Sequence, residues 1–249
     1  MSKAYIPKEI SWLSFNARVL QEAAGSEVPL LERFNFLGIY SNNLDEYFRV
    51  RVATLRRLAL FSNKAKSILG YSPKAALKTI QETVLRQNEI FEKTYSDLLG
   101  ELKKRRIHFL DEEQLDETQT EFVSNYFRKE VRSRLMPLII TRENKLPDLT
   151  DDAIYLAVQR RNSETEKKRY ALLEIPSRSI LPRFVLLPGK KGARYVIFLD
   201  DVIRWGLKEI FSILPFDEIS AYTIKVTRDA ELEIADDISE SYIVKLSRS

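Results

Sequence analysis

The chain of 249 residues has no cysteine and one histidine, His108. No disulfide framework and no thiolate metal site can be built from it. Chemistry that needs two histidines is excluded as well. Glycine is scarce, with seven scattered residues, so neither a phosphate-cradling Walker A loop nor a dinucleotide fingerprint assembles. No apolar run approaches the roughly 20 residues of a membrane-spanning helix, and the opening MSKAYIPKEI lacks the apolar core of a secretory signal. Charge is abundant: 40 Lys and Arg stand against 36 Asp and Glu, net +4, beside 44% hydrophobic residues. That is folded rather than disordered composition, long enough for one large or two ordinary domains. A net charge this small does not by itself argue for nucleic acid. The charge is uneven, though. Residues 1–106 hold 18 Lys and Arg against 11 Asp and Glu, net +7, and residues 107–249 hold 22 against 25, net −3. The sign change supports two domains and points to the first half for any anion-binding surface.

The first half reads as helices. Trp12, Phe15, Val19 and Leu20 recur at helical spacing behind Ser11, a candidate N-cap. Gly25 and Pro29 break that segment, and Leu30, Leu31, Phe34 and Leu37 begin a second. A third is expected from Asn43 to Phe61 on the stripe Leu44, Phe48, Val52, Leu55 and Ala59. Ser72-Pro73 then opens a long fourth helix striped by Leu77, Ile80, Val84, Phe91, Tyr95, Leu98 and Leu102. Four amphipathic helices with short breaks make a bundle over 1–106, with Trp12, Phe15, Leu37, Phe48, Leu55, Ile80 and Val84 expected in its core. Lys103 to Arg106 is a charge run suited to a helix carboxyl end.

The second half changes period. Short strands are expected at 107–110, 154–159, 169–175, 184–187, 194–198 and 222–227. Helices are expected at 116–135, at 202–214 behind Leu199-Asp200-Asp201, and from 230 onward. Strands mixed with helices make 107–249 an α+β domain.

Most side chains with chemical potential have plain structural readings. The acidic doublets Asp151-Asp152, Asp200-Asp201 and Asp236-Asp237 suit helix starts, and His108 sits alone at the domain junction. Tyr40 to Arg51, YSNNLDEYFRVR, is more distinctive. Asn carries a donor and an acceptor on one amide, which is what reading an adenine edge requires, and Arg49, Arg51, Arg56 and Arg57 follow, with Arg49 and Arg56 seven apart on one face. The same residues also read as helix caps ahead of a solvated basic face, and the residues alone leave both readings standing.

These segments also resemble a known family. Ile10 to Ala23, ISWLSFNARVLQEA, is similar to the opening of the bacterial polyphosphate kinases that act through a phosphohistidine. So is Pro29 to Arg51, PLLERFNFLGIYSNNLDEYFRVR. Further matching blocks are Tyr170 to Pro176, Pro182 to Phe184, Phe198 to Asp201 and Tyr222 to Glu231, in order along nearly the whole chain. The resemblance implies an N-terminal helical domain over 1–106 and an α+β head domain, likened to PX folds, over 107–249. The family's two catalytic domains have no counterpart here, and its last head-domain helix runs on into the first of them.

The resemblance further implies that Asn43, the second Asn of SNNLDE, contributes to ATP binding near the adenine. It implies Mg²⁺ and a phosphohistidine held outside this chain, reversible transfer of the ATP γ-phosphate to polyphosphate, ATP/ADP and polyphosphate as partners, and a homo-oligomer contacted through the head domain. The implied enzyme is cytoplasmic, with membrane association open to the complete protein. No catalytic or metal residue is assigned to this chain, no nucleic-acid partner is expected, and the chain alone is expected to be inactive. Two rivals stand beside this reading: a catalytically dead interaction or regulatory module, and a polyanion-binding helical domain using the +7 first half.

Overall fold

The computed structural model describes residues 6–61, 66–67, 69–141, 148–176 and 180–230. Contacts divide the chain into two compact units, residues 1–101 with 228–249, and residues 102–227. Among the described residues the first unit holds helices and no strand. Its elements are α1 (Lys8–Ala24), α2 (Leu30–Glu46), a π-helical segment (Tyr47–Val52), α3 (Ala53–Leu60) and the long α4 (Pro73–Lys104).

Two of the expected helix starts are corrected. α1 begins at Lys8 behind Pro7, three residues before Ser11. Pro7 has φ −51° and ψ 137°, and its fixed φ sets the chain into the first turn without a side-chain cap. The break expected before Asn43 is absent, because 38–52 offers one glycine and no proline to interrupt hydrogen bonding. α2 instead runs directly into the π-helical segment and α3. The buried positions explain that segment. Leu37, Tyr40 and Tyr47 are buried at helical steps, and the next buried residue is Val52, five positions on. A wider i→i+5 turn absorbs the extra residue, so Tyr47 and Val52 both stay inside while Arg51 faces out. Ser72-Pro73 opens α4 as its sequence suggests, with the Ser72 hydroxyl oxygen accepting from the Ala75 N–H at 3.4 Å.

The core of this unit gathers Leu13, Tyr47, Val52, Leu55, Ala76, Ile80 and Val84. Of the side chains expected there, Leu37, Leu55, Ile80 and Val84 are buried, while Trp12 and Phe48 are half-buried. Phe15 is 59% exposed. The inward face of α1 is instead Leu13, Asn16, Leu20 and Ala23, rotated by one residue from the aromatic spacing. Trp12 lies at the edge of that face, stacked on Tyr47 at 4.5 Å between ring centroids.

The second unit carries two sheets. In the first, β1 (Ile107–Leu110) runs parallel to β6 (Arg194–Phe198), which pairs antiparallel with β5 (Phe184–Leu187). The second is wholly antiparallel in the order β2-β4-β3-β7, with β2 (Leu138–Ile140), β3 (Ala153–Asn162), β4 (Lys167–Glu174) and β7 (Glu218–Val226). Period-two alternation sorts its side chains. Leu156, Val158, Ala171 and Leu173 join the main core with Val123, Phe127, Ile197, Val202 and Phe211, while Tyr155 and Leu172 pack on the other face.

The sequence misses β2, a three-residue edge strand just past Pro137, and starts β7 four residues late. The helix expected over 116–135 is α5 (Glu117–Tyr126), followed by a π turn (Phe127–Val131) and a 3₁₀ turn (Arg132–Arg134). A capping box of Asp116 and Gln119 starts it. The helix expected over 202–214 is split into α6 (Leu199–Trp205) and α7 (Leu207–Ile210). Gly206 stands at the split, and a Cβ there would lie 2.2 Å from the Phe127 ring, so only glycine lets the backbone pass. α6 begins at Leu199 with Phe198 before it, so Asp200 and Asp201 lie in the first turn and cap nothing. Asp236-Asp237 and the helix expected from 230 lie, from 231 on, outside the described residues.

Candidate functional site

A chain of buried polar groups joins α1, α2 and α4. Asn16 is 0% exposed. Its Nδ2 donates to the Tyr40 carbonyl at 3.2 Å, which forces its Oδ1 toward Asn43. Asn43 Nδ2 donates to that oxygen at 3.1 Å. Because the Tyr40 carbonyl can only accept, the orientation of both amides follows from the network. Nearby, the Tyr40 hydroxyl donates to Gln87 Oε1 at 3.1 Å, and Gln87 Nε2 donates to the Leu13 carbonyl at 3.1 Å. Burial pushes the Tyr40 hydroxyl up to about 12, so it stays a neutral donor. Farther along, buried Glu9 accepts from the Tyr71 hydroxyl at 2.9 Å, and its backbone carbonyl accepts from the Tyr47 hydroxyl at 3.0 Å. Burial first, and then the charge of Glu9, holds both phenols above their ordinary value.

The network removes the capping reading of Asn43. The residue is inside a continuous helix, and its carbonyl accepts the Tyr47 N–H. Its side chain is half-buried and held by a partner that is itself buried and hydrogen-bonded to the Tyr40 carbonyl. One amide N–H is spent on Asn16. The second N–H and Oδ1 take no hydrogen bond from the described residues, which leaves one donor and one acceptor on the same amide. Such a pair suits a nucleobase edge, and the arrangement binds rather than reacts. Of the basic residues that follow, Arg51 and Arg56 are exposed and Arg49 and Arg57 half-buried. Arg49 lies inside the π-helical segment and Arg56 beyond it, so their seven-residue spacing no longer sets a common face.

The remaining candidates are structural. His108, on β1, is stacked on Tyr195 at 4.9 Å. Asp200 accepts from the Thr223 hydroxyl at 3.0 Å and lies 3.3 Å from Arg183 Nη2. Asp201 contacts Arg204, which also reaches Glu112 at 3.4 Å and donates to Thr223 Oγ1 at 3.0 Å. These contacts knit α6 to β7. Asp152, in the turn before β3, lies 2.8 Å from Lys225 Nζ. Among the described residues no group of three His, Cys, Asp or Glu is placed to hold a metal ion. Asn16 and Gln87 are not singled out by the sequence. Their signal was a polar residue on a buried stripe, as with Gln87 between Val84 and Phe91.

Fold and site define a helical unit that fixes an amide on a buried polar relay, and an α+β unit built on two sheets. Residues 5–110 match the polyphosphate kinase N-terminal domain, and residues 118–249 match the polyphosphate kinase middle domain. The chain belongs to the polyphosphate kinase family. It is 44% identical over 249 residues to the polyphosphate kinase of Vibrio parahaemolyticus, covering 98% of this chain and 35% of that protein. It is 41% identical over 251 residues to that of Escherichia coli K12, covering 99% and 36%. The crystal structure of polyphosphate kinase from Porphyromonas gingivalis superposes with a TM-score of 0.77 at 33% identity, covering 92% of this chain and 34% of that one. The chain thus spans about a third of the length of the curated relatives it matches.

Proposed function

We propose that the chain is the N-terminal part of an enzyme that moves the γ-phosphate of ATP reversibly onto inorganic polyphosphate, and that Asn43 forms part of its adenine site. The observation that carries the reading is the relay from the Tyr40 carbonyl through Asn16 to Asn43, which orients one unspent donor and one unspent acceptor before any ligand arrives. Preorganisation of this kind lowers the ordering cost of binding. Phosphoryl transfer also needs charge neutralisation and a positioned nucleophile. The metal and the phosphohistidine are assigned to the rest of the enzyme. The α+β unit is assigned the contacts of a homo-oligomer, and the enzyme is placed in the cytoplasm. No helix of the described residues is long and apolar enough to cross a membrane.

The test is γ-labelled ATP with the chain alone and with the full-length protein. The chain alone is expected to form no polyphosphate and no acid-labile phosphoenzyme, and the full-length protein is expected to form both. Label on the chain alone that disappears on His108→Ala would overturn this division of labour.

A further inference from the structure

The far end of the β3–β4 hairpin breaks the rule that sorts the rest of the sheet. Leu156 pairs with Leu173, and Val158 with Ala171, on the core face. The next pair along that face is Arg160 with Arg169, followed by Asn162 with Lys167. Like charges directly opposite one another destabilise a sheet, so a protein keeps them together only against some gain. Arg160 is 4% exposed and lies over the Phe211 ring at 4.9 Å, yet its buried Nε has no hydrogen-bond partner. Burial, and then Arg169, lowers its affinity for the proton.

This guanidinium lines an open groove of about 1220 Å³ together with Lys167, Lys168, Arg169, Asn162 and Thr165. Glu166 also lines it, but its two oxygens are taken by Arg161 at 2.9 and 2.8 Å. Asn162 Oδ1 accepts twice from Thr165, bonds that leave its amide N–H donors unspent. Among the described residues Arg160, Lys167, Lys168 and Arg169 have no carboxylate partner.

We propose that this groove in the α+β unit is a binding site for a condensed phosphate chain. The proposal rests on the reading of the protein as a polyphosphate-using kinase. Guanidinium, ammonium and amide donors match phosphoryl oxygens, and the groove exceeds the roughly 300–1,000 Å³ of small-molecule sites, which suits a run of phosphates better than one. Arg160 in that lining is only 4% exposed, which favours a narrow flexible polyanion over a flat bilayer surface.

The test is calorimetric titration of the 249-residue chain with short-chain polyphosphate, with orthophosphate, and with phosphatidylcholine vesicles with and without phosphatidic acid. Three proteins are compared: wild type, Lys167→Glu/Arg169→Glu, and Lys74→Glu/Lys93→Glu, which makes the same change in net charge on exposed positions of α4. Polyphosphate affinity is expected to fall about tenfold or more in the hairpin variant and to stay within about twofold in the α4 variant, with wild-type binding weakening as salt rises. Arg169→Glu alone is expected to raise the melting temperature without ligand, because it removes the like-charge pair. Equal polyphosphate binding by the hairpin variant, absence of polyphosphate binding by wild type, orthophosphate binding as tight as polyphosphate, or binding only to phosphatidic acid vesicles would each overturn the proposal. The role of Asn43 is read separately, from ATP kinetics of the full-length enzyme, so either assignment can fail alone.

Discussion

Asn16→Asp is expected to cost roughly 3–5 kcal/mol at pH 7, the range for a buried charge left without a partner. Asn16 is 0% exposed and spends its Nδ2 on the Tyr40 carbonyl. An ionised aspartate would turn an acceptor toward that carbonyl, in a place where water cannot reach either oxygen. The sign of the pH dependence follows. Desolvation raises the introduced acid above its unfolded value of about 3.9. Stability is therefore fullest below that value, where a neutral acid donates to Tyr40, and is lost as pH rises through the higher folded value. Urea unfolding at pH 4 and pH 7 measures it, and a variant as stable as wild type at pH 7 would show that the relay is not closed to solvent. Asn16→Leu removes the same groups without charge. It is expected to cost about 1 kcal/mol and to leave Asn43 without its orienting partner.

A second large effect belongs to the α+β unit. Burial, and then the neighbouring Asp200, raises Asp201 from 3.8 to about 6, although Arg204 opposes the change. The contact with Arg204 alone would hold the carboxyl low, but desolvation outweighs it. A raised acid binds more protons in the folded state than in the unfolded one. Asp201 thus contributes stability that is complete below pH 3.8 and is lost as pH climbs to about 6. At 1.36 kcal/mol per unit, the loss is about 3 kcal/mol. Asp201→Asn keeps an acceptor for Arg204 and removes the titration. The difference in unfolding free energy between wild type and variant is expected to change by about that amount between pH 4 and pH 7, with other carboxylates cancelling. A difference that stays flat over that range would place the charge on Asp201 in water.

Much of the architecture was legible in the residues. The stripe from Ile80 to Leu102 gave α4, and alternation with turn residues gave β5 and β6 to the residue. The failures have local physical causes. The π-helical segment over Tyr47–Val52 is a one-residue phase shift, which looks like a break when apolar residues are counted at a single period. The helical spacing of Trp12, Phe15, Val19 and Leu20 puts Phe15 in the core, but the buried face of α1 is one residue away and includes Asn16. Gly206 divides α6 from α7 because of a ring that arrives from residue 127, a contact no local window contains.

The candidate site draws on residues far apart in the sequence. SNNLDE marked Asn43, yet the residue that fixes it lies 27 positions earlier, beyond the reach of any local spacing rule. The net charge of each half pointed to residues 1–106 for anions. The hairpin groove lies in the half with net charge −3, because Glu166 and Glu218 are bound to Arg161 and do not neutralise Arg160 or Arg169. Totals over a hundred residues do not show which charges are already paired.

The most direct measurement of Asn43 as an adenine contact is the KM for ATP of the full-length enzyme carrying Asn43→Asp, with its melting temperature taken alongside. The carboxylate loses the unspent amide donor and repels phosphate. One such hydrogen bond is worth about 0.5–1.5 kcal/mol, so KM for ATP is expected to rise roughly 2- to 13-fold. An unchanged KM accompanied by a lower melting temperature would contradict the assignment and leave Asn43 as a strut between α1 and α2.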